Sequence, residues 1–173
     1  MINIRIILFL LSGTLALFLL LRFQGKLETK DTPLSILSLE FAQNAQQITE
    51  VKQAWDDAGM TGKAKTNIRI DFLFIPFYTM LFYTLCGTIS VRMNGFAAKL
   101  GIFLAFGALV AGLFDTLENI LMLFALNGHY NNFTAWLTTT LVWSKFLLLA
   151  LAALYVIPLG ARMLLLKAIG QKK

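Results

Sequence analysis

Asp115, Glu118 and Asn119 stand together in Asp115-Thr116-Leu117-Glu118-Asn119, inside a stretch otherwise made of apolar residues. Positions three and four apart are neighbours on a helix, so both acids and the carboxamide fall on or beside one face. Carboxyls in apolar surroundings are costly, and they are kept where they hold a proton, a cation or a basic group, or where a tuned carboxyl acts as general acid or base. Lys145, in the next apolar stretch, is the natural counter-ion. Counted at about 1.5 Å per residue, Asp115 from Leu126 and Lys145 from Phe133 both lie about 16–18 Å deep, so the two can meet. One Lys facing two acids leaves excess negative charge, which must be protonated, matched by an external cation or hydrogen-bonded by Asn119, Tyr78 or Ser144. A buried pair that only fixes helix register needs a single acid, so the doubled acid favours a functional polar pocket.

A second polar set precedes this one. Asp71 and Tyr78 lie seven residues apart and hence on one helical face, with Pro76 free to kink the helix between them. With Tyr83 as a further candidate, they read as a polar wall lining a cleft. A structural alternative exists for each. With Asn67 as N-cap, Asp71 falls in about the first turn and gains from the helix dipole, while a Tyr near a membrane interface is ordinary belt chemistry.

The elements that must position these residues are set by composition. In 173 residues, 58% are apolar and the mean hydropathy is +0.72, too high for a soluble domain of this size. Spanning a hydrocarbon core takes about 20 helical residues, and residues 2–21, 68–91, 100–126 and 133–160 each qualify. Barrel-type alternation is absent, so the expected fold is all-α: an integral membrane four-helix bundle in one membrane domain, with an extramembrane amphipathic helical segment between helices 1 and 2. In the third span, Gly101, Ala105, Ala108 and Gly112 form a small-residue stripe that runs on to Asp115 and Asn119. Small residues let a neighbouring backbone approach, which turns the acids into the bundle rather than toward lipid. The first span starts basic and apolar like a secretory signal. No small-x-small cleavage site follows, and Arg22-Phe23-Gln24-Gly25-Lys26 reads as a charged stop, so a retained anchor is expected over a removed signal.

The net charge of +6 does not point to nucleic acid, because the basic residues sit mostly at span ends, where lipid headgroups account for them. Arg92 and Lys99 flank the short loop between spans two and three; Arg162, Lys167, Lys172 and Lys173 mark the C-terminal flank; the loop from Asn127 to Asn132 has no Lys or Arg. The positive-inside rule then places that loop outside and both termini in the cytoplasm of a bacterial inner membrane. The connection from Arg22 to Asn67 lies outside in this arrangement although it carries Lys26, Lys30, Lys52, Lys63 and Lys65, which conflicts with the rule. The lone Cys86 has only His129 to join it, so no disulfide and no metal site is expected.

That connection carries its own pattern. Thr32-Pro33 is a helix start, with Thr32 as N-cap and Pro33 at the first position. Apolar residues then recur at spacings of three and four from Leu34 to Ala58, and Gly59 and Gly62 end the run. One amphipathic helix or two in tandem over about 32–58 is expected, as a cap on the membrane or bundle mouth rather than a mobile lid or docking surface. Gly59-Met60-Thr61-Gly62-Lys63 lacks the spacing of a phosphate-binding loop and reads as a basic turn.

The motifs Asp71-Phe72-Leu73-Phe74-Ile75-x-x-Tyr78 and Asp115-x-x-Glu118-Asn119 resemble those of a group of small multi-pass bacterial membrane proteins. The resemblance covers two helices, implies a four-helix membrane protein, and brings no reaction, cofactor or substrate with it. From the residues themselves, the leading expectation is a module that binds or passes a small molecule, lipid or proton at Asp115, Glu118, Asn119, Lys145, Asp71 and Tyr78. Its partners are membrane lipids and a small ligand or cation, with no cofactor. The alternative is a structural or assembly subunit that docks a membrane protein partner or a second copy. Third is an intramembrane enzyme with Asp115 or Glu118 as acid or base, for which no nucleophile or metal constellation is visible.

Overall fold

The computed structural model describes residues 4–24 and 26–170. Ile2 of the first expected span, Gly25 of the charged stop, and Lys172 and Lys173 of the C-terminal flank lie outside the described residues. All regular structure among the described residues is helical: α1 (Ile4–Gln24), α2 (Leu37–Glu40), α3 (Ala45–Asp57), α4 (Thr61–Ser90), α5 (Gly95–Leu126) and α6 (Asn132–Gly170). Of these, α1, α4, α5 and α6 are long and apolar enough to cross a membrane.

The bundle is asymmetric. Helices α4, α5 and α6 pack on one another, whereas α1 leans on the flank of α4. Close approach needs a small residue on at least one of the two contact faces. On α1, a Cβ added to Gly13 would collide with the Phe77 ring of α4. On α5 the small-residue stripe is buried as expected: a Cβ on Gly112 would meet Thr79 Oγ1 at 2.5 Å, and one on Gly101 would collide with the Tyr155 hydroxyl of α6. At that end the Tyr155 hydroxyl donates to the Ala97 carbonyl and Ser90 Oγ donates to Ala98, joining the helix ends around the short α4–α5 loop.

Helix α4 begins at Thr61, so the capping role expected of Asn67 is not found. No proline interrupts Thr61–Asn67, and Ala64 and Ile68 are buried beneath α3, which extends the helix beyond its lipid-compatible part. Asn67 is itself buried, and its Nδ2 donates to the Leu21 carbonyl at the end of α1. Asp71 therefore lies well inside α4, away from the dipole at its start.

The connection between α1 and α4 forms a cap of two short helices in tandem. Thr32 and Pro33 do not start the first one. The Thr32 hydroxyl donates to the Leu27 carbonyl and exchanges hydrogen bonds with Thr29, so it is spent on a local turn. A turn with Ser35 at φ 58° follows, and α2 begins only at Leu37. Asn44 is the N-cap of α3, its side chain accepting from Gln47 N. Gly59, at φ 65°, ends α3 with bonds from Gly59 N to Asp56 O and from Met60 N to Trp55 O, the pattern of a helix stop that needs a left-handed residue. Gly62 ends nothing and lies within α4. The apolar face of the cap, with Leu39, Ile48, Val51 and Trp55 buried, packs on Ile68, Met122 and Leu126 at the mouth of the bundle. Polar ties reinforce it: Ala45 N donates to Asn132 Oδ1, Thr49 bonds Tyr130, and Lys65 bonds Asn127.

Candidate functional site

Lys145 is the centre of the site. It projects from the first half of α6 and is only 5% exposed. Its Nζ lies 2.6 Å from Asp115 Oδ1 and 2.7 Å from Glu118 Oε2, both on α5, where the spacing of three presents the two acids one turn apart. The third carboxylate around it comes from the cap: Glu40 Oε2, 3.6 Å away. The Asp115 contact is a directed hydrogen bond. Glu118 is fully buried and attracts the ammonium as a point charge, since neither of its oxygens receives a well-directed hydrogen bond.

Tyr78 and Asp71 extend the cluster across α4. The Tyr78 hydroxyl donates to Asp115 Oδ2 at 2.6 Å, so Asp115 is held by Lys145 on one oxygen and by Tyr78 on the other. Asn119 Nδ2 donates to Asp71 Oδ2 at 2.7 Å. All six residues singled out in the sequence thus converge, from α4, α5 and α6. Two weaker expectations fail. Tyr83 is 38% exposed and packs edge-on against Phe106, away from the cluster. The Ser144 hydroxyl bonds back to the Thr140 carbonyl of its own helix, the usual local solution for a mid-helix serine.

Glu40 is the residue that sequence reading missed as part of the site. Its backbone is pinned by α6, where the Thr139 hydroxyl donates to the Ala42 carbonyl at 3.0 Å and reaches the Glu40 carbonyl at 3.4 Å. Phe41, next in sequence, packs its ring on Trp143 and Phe146, with centroids 5.3 and 6.3 Å apart. Leu39 and Ala42 are buried on either side, so the acid is carried down with them. Burial holds the Glu40 carboxyl above the usual carboxylate range; nearby Lys145 opposes that shift and Asp115 adds to it. The available signal was local: Leu37-Ser38-Leu39-Glu40-Phe41-Ala42 sets one acid in an apolar run.

The cluster lies at the base of a cleft of about 470 Å³. Phe18 and Leu21 of α1, Phe74 and Phe82 of α4, and Phe146 and Leu149 of α6 form its apolar sides, with the turn and start of α2 across it. Asp71, Tyr78, Asp115, Asn119, Lys145 and Glu40 reach the cleft, whereas Glu118 stands behind Lys145. Three carboxyls, Glu40, Asp115 and Glu118, surround a single ammonium and a fourth, Asp71, adjoins them through Asn119, so the cluster has acceptor capacity beyond what Lys145 fills. Among the described residues no group of three or more His, Cys, Asp or Glu is arranged to hold a metal ion. The position between Glu40, Asp115 and Glu118 is occupied by the Lys145 ammonium itself. No protein-family model matches the chain, and no match is found among curated proteins or solved structures.

Proposed function

We propose that this chain is a multi-pass membrane protein that binds a small amphipathic cation in the cleft between α1 and α6. One observation carries the reading: an apolar-walled cavity of ligand size, lined also by Arg22, which is paired with Glu28, ends on a buried acid cluster that outnumbers the one ammonium within it. The apolar walls suit a hydrocarbon portion, and the acids suit a positive group that would be costly to leave in lipid. Lys145 neutralises part of the cluster and holds Asp115 in place, while Asp71 adds a further carboxyl on the cleft side. In the orientation favoured by the charged loops, Arg92–Lys99 and the C-terminus face the cytoplasm of a bacterial inner membrane, and the cap and the Asn127–Asn132 loop face outward.

The test is ligand-dependent thermal stability of the purified full chain in non-ionic detergent, screened against alkyl cations and matched neutral lipids. Alkyl cations should raise the midpoint in proportion to the logarithm of their concentration, and neutral analogues should not. Asp71→Asn should lose most of that shift while keeping the unliganded midpoint. Equal stabilisation by neutral and cationic amphiphiles would leave the acid cluster without a part in binding.

A further inference from the structure

Glu40 is 92% buried, being 8% exposed, and lines the cleft; its Oε2 is sealed from the cleft on the Lys145 side, which leaves the other carboxyl oxygen as the one a ligand can meet. Lys145 Nζ is 3.6 Å from Oε2, beyond hydrogen-bond reach, and its directed proton goes to Asp115. A carboxyl oxygen at the base of an apolar cleft gains from any ligand that brings an N–H to it, because such a bond is charge-assisted and water is largely excluded there. Across the cleft, Asp71 accepts at Oδ2 from Asn119, which leaves acceptor capacity on that carboxyl as well. The cluster therefore has acceptors to spare, whereas the donors of Tyr78, Asn119 and Lys145 toward it are directed at Asp115 and Asp71.

Resting on the reading of the cleft as a site for amphipathic cations, we infer that its ligand is a primary or secondary alkylamine whose ammonium N–H groups bond the Glu40 and Asp71 carboxyls. A quaternary ammonium has no N–H to donate. It is recognised by a cage of aromatic faces closing around the charge, and the groups at this base are carboxyls, an amide, a phenol and an ammonium, with the phenylalanines on the walls. The discrimination is thus made by hydrogen bonds rather than by charge. Because Glu40 belongs to the cap and the other acids to the bundle, an amine bonded to both Glu40 and Asp71 also fastens α2 over the cleft.

Binding of dodecylamine, dodecyltrimethylammonium and dodecanol to the purified full chain tests this, with affinities taken from the concentration dependence of the thermal shift. The amine should bind about tenfold tighter or better than the quaternary cation, the effect expected of one charge-assisted hydrogen bond. Glu40→Gln, whose neutral amide oxygen still accepts but without charge assistance, should weaken both cations through the lost charge and the amine by more, so that the preference shrinks. Equal affinity of the two cations overturns the hydrogen-bond inference and leaves the cation-binding reading standing. Dodecanol binding as tightly as dodecylamine, or no binding by any of the three, overturns both. The comparison on the unaltered chain decides the matter even if Glu40→Gln does not fold.

Discussion

The ammonium of Lys145 and the carboxylate of Asp115 meet at 2.6 Å with both side chains 7% exposed, and the other oxygen of Asp115 takes the Tyr78 hydroxyl. Helices α4, α5 and α6 are thereby tied through a single carboxylate. Lys145→Met removes the charge that compensates Asp115 and Glu118, and a broken buried pair typically costs about 3–5 kcal/mol. Asp115→Asn in the same chain removes one of the stranded acids, so the double variant should recover part of the loss, with a coupling of about 1–3 kcal/mol. Denaturation midpoints of the two single variants and the double variant check this, and strictly additive effects would falsify the pairing.

Gly112 and Leu113 are adjacent on α5 and should respond oppositely. The Gly112 face is closed by Thr79 and Ile75 of α4, while Leu113 is 56% exposed on the outer surface. Gly112→Leu should therefore cost at least about 1–3 kcal/mol by forcing α4 and α5 apart, whereas Leu113→Ala should stay within about 0.5 kcal/mol. Detergent stability and expression of the two variants give the comparison, and equal tolerance would mean that the packing face lies elsewhere.

The convergence of Asp71, Tyr78, Asp115, Glu118, Asn119 and Lys145 was legible because each lies in a long apolar helix, where helical periodicity and depth assign face and level. Glu40 was not, because its position depends on contacts distant in sequence. Thr139, Trp143 and Phe146 of α6 seat α2, and no periodicity within residues 32–58 reports them. The start of α4 was misplaced for a related reason. Hydropathy marks where a helix becomes lipid-compatible, at Ile68, while the helix itself is extended to Thr61 by packing of Ala64 under the cap. Thr32 misled because the same hydroxyl chemistry that caps helices also closes turns.

Trp55 is the keystone of the cap. It is fully buried, and its Nε1 donates to the Leu27 carbonyl at 2.9 Å, closing the start of the connection onto α3. Trp55→Ala should cost the cap about 3–5 kcal/mol, with the four long helices retaining their helicity. Limited proteolysis should then cut within residues 26–60 at protease concentrations that leave the unaltered chain intact, while circular dichroism changes little. Global loss of helicity would show that the cap and bundle fold as one unit.

Cap closure should weaken as pH rises. The Glu40 carboxyl is raised above its ordinary value of 4.5 by burial, with Lys145 opposing the shift, Asp115 adding to it and the neighbouring Glu118 side chain opposing it. An acid whose pKa is raised on folding binds its proton more tightly in the folded state. The stabilisation is fully present below the unfolded value and is lost as pH rises through the folded one. Hydrogen exchange of backbone amides in residues 37–42, corrected for intrinsic rates, should accelerate on going from about pH 4.5 upward. Glu40→Gln should flatten that dependence, and an unchanged slope in the variant would assign the effect to another group.

Orientation can be read with two single cysteines. The Asn127–Asn132 loop carries no Lys or Arg, while Arg92 and Lys99 flank the α4–α5 loop at the opposite end of the bundle, so the charge rule puts the former outside and the latter in the cytoplasm. Asn131 and Asn94 are both exposed, and Cys86 is fully buried, so Cys86→Ala gives a background in which only an introduced thiol is accessible. In intact cells Asn131→Cys should react with an impermeant maleimide, and Asn94→Cys should react only after permeabilisation. The lysines of residues 26–65 oppose this orientation, but the cap shares one side with Asn131 through the bond from Ala45 N to Asn132 Oδ1. Labelling of Asn94→Cys alone in intact cells would invert the whole arrangement and turn the cap and the Asn127–Asn132 loop toward the cytoplasm.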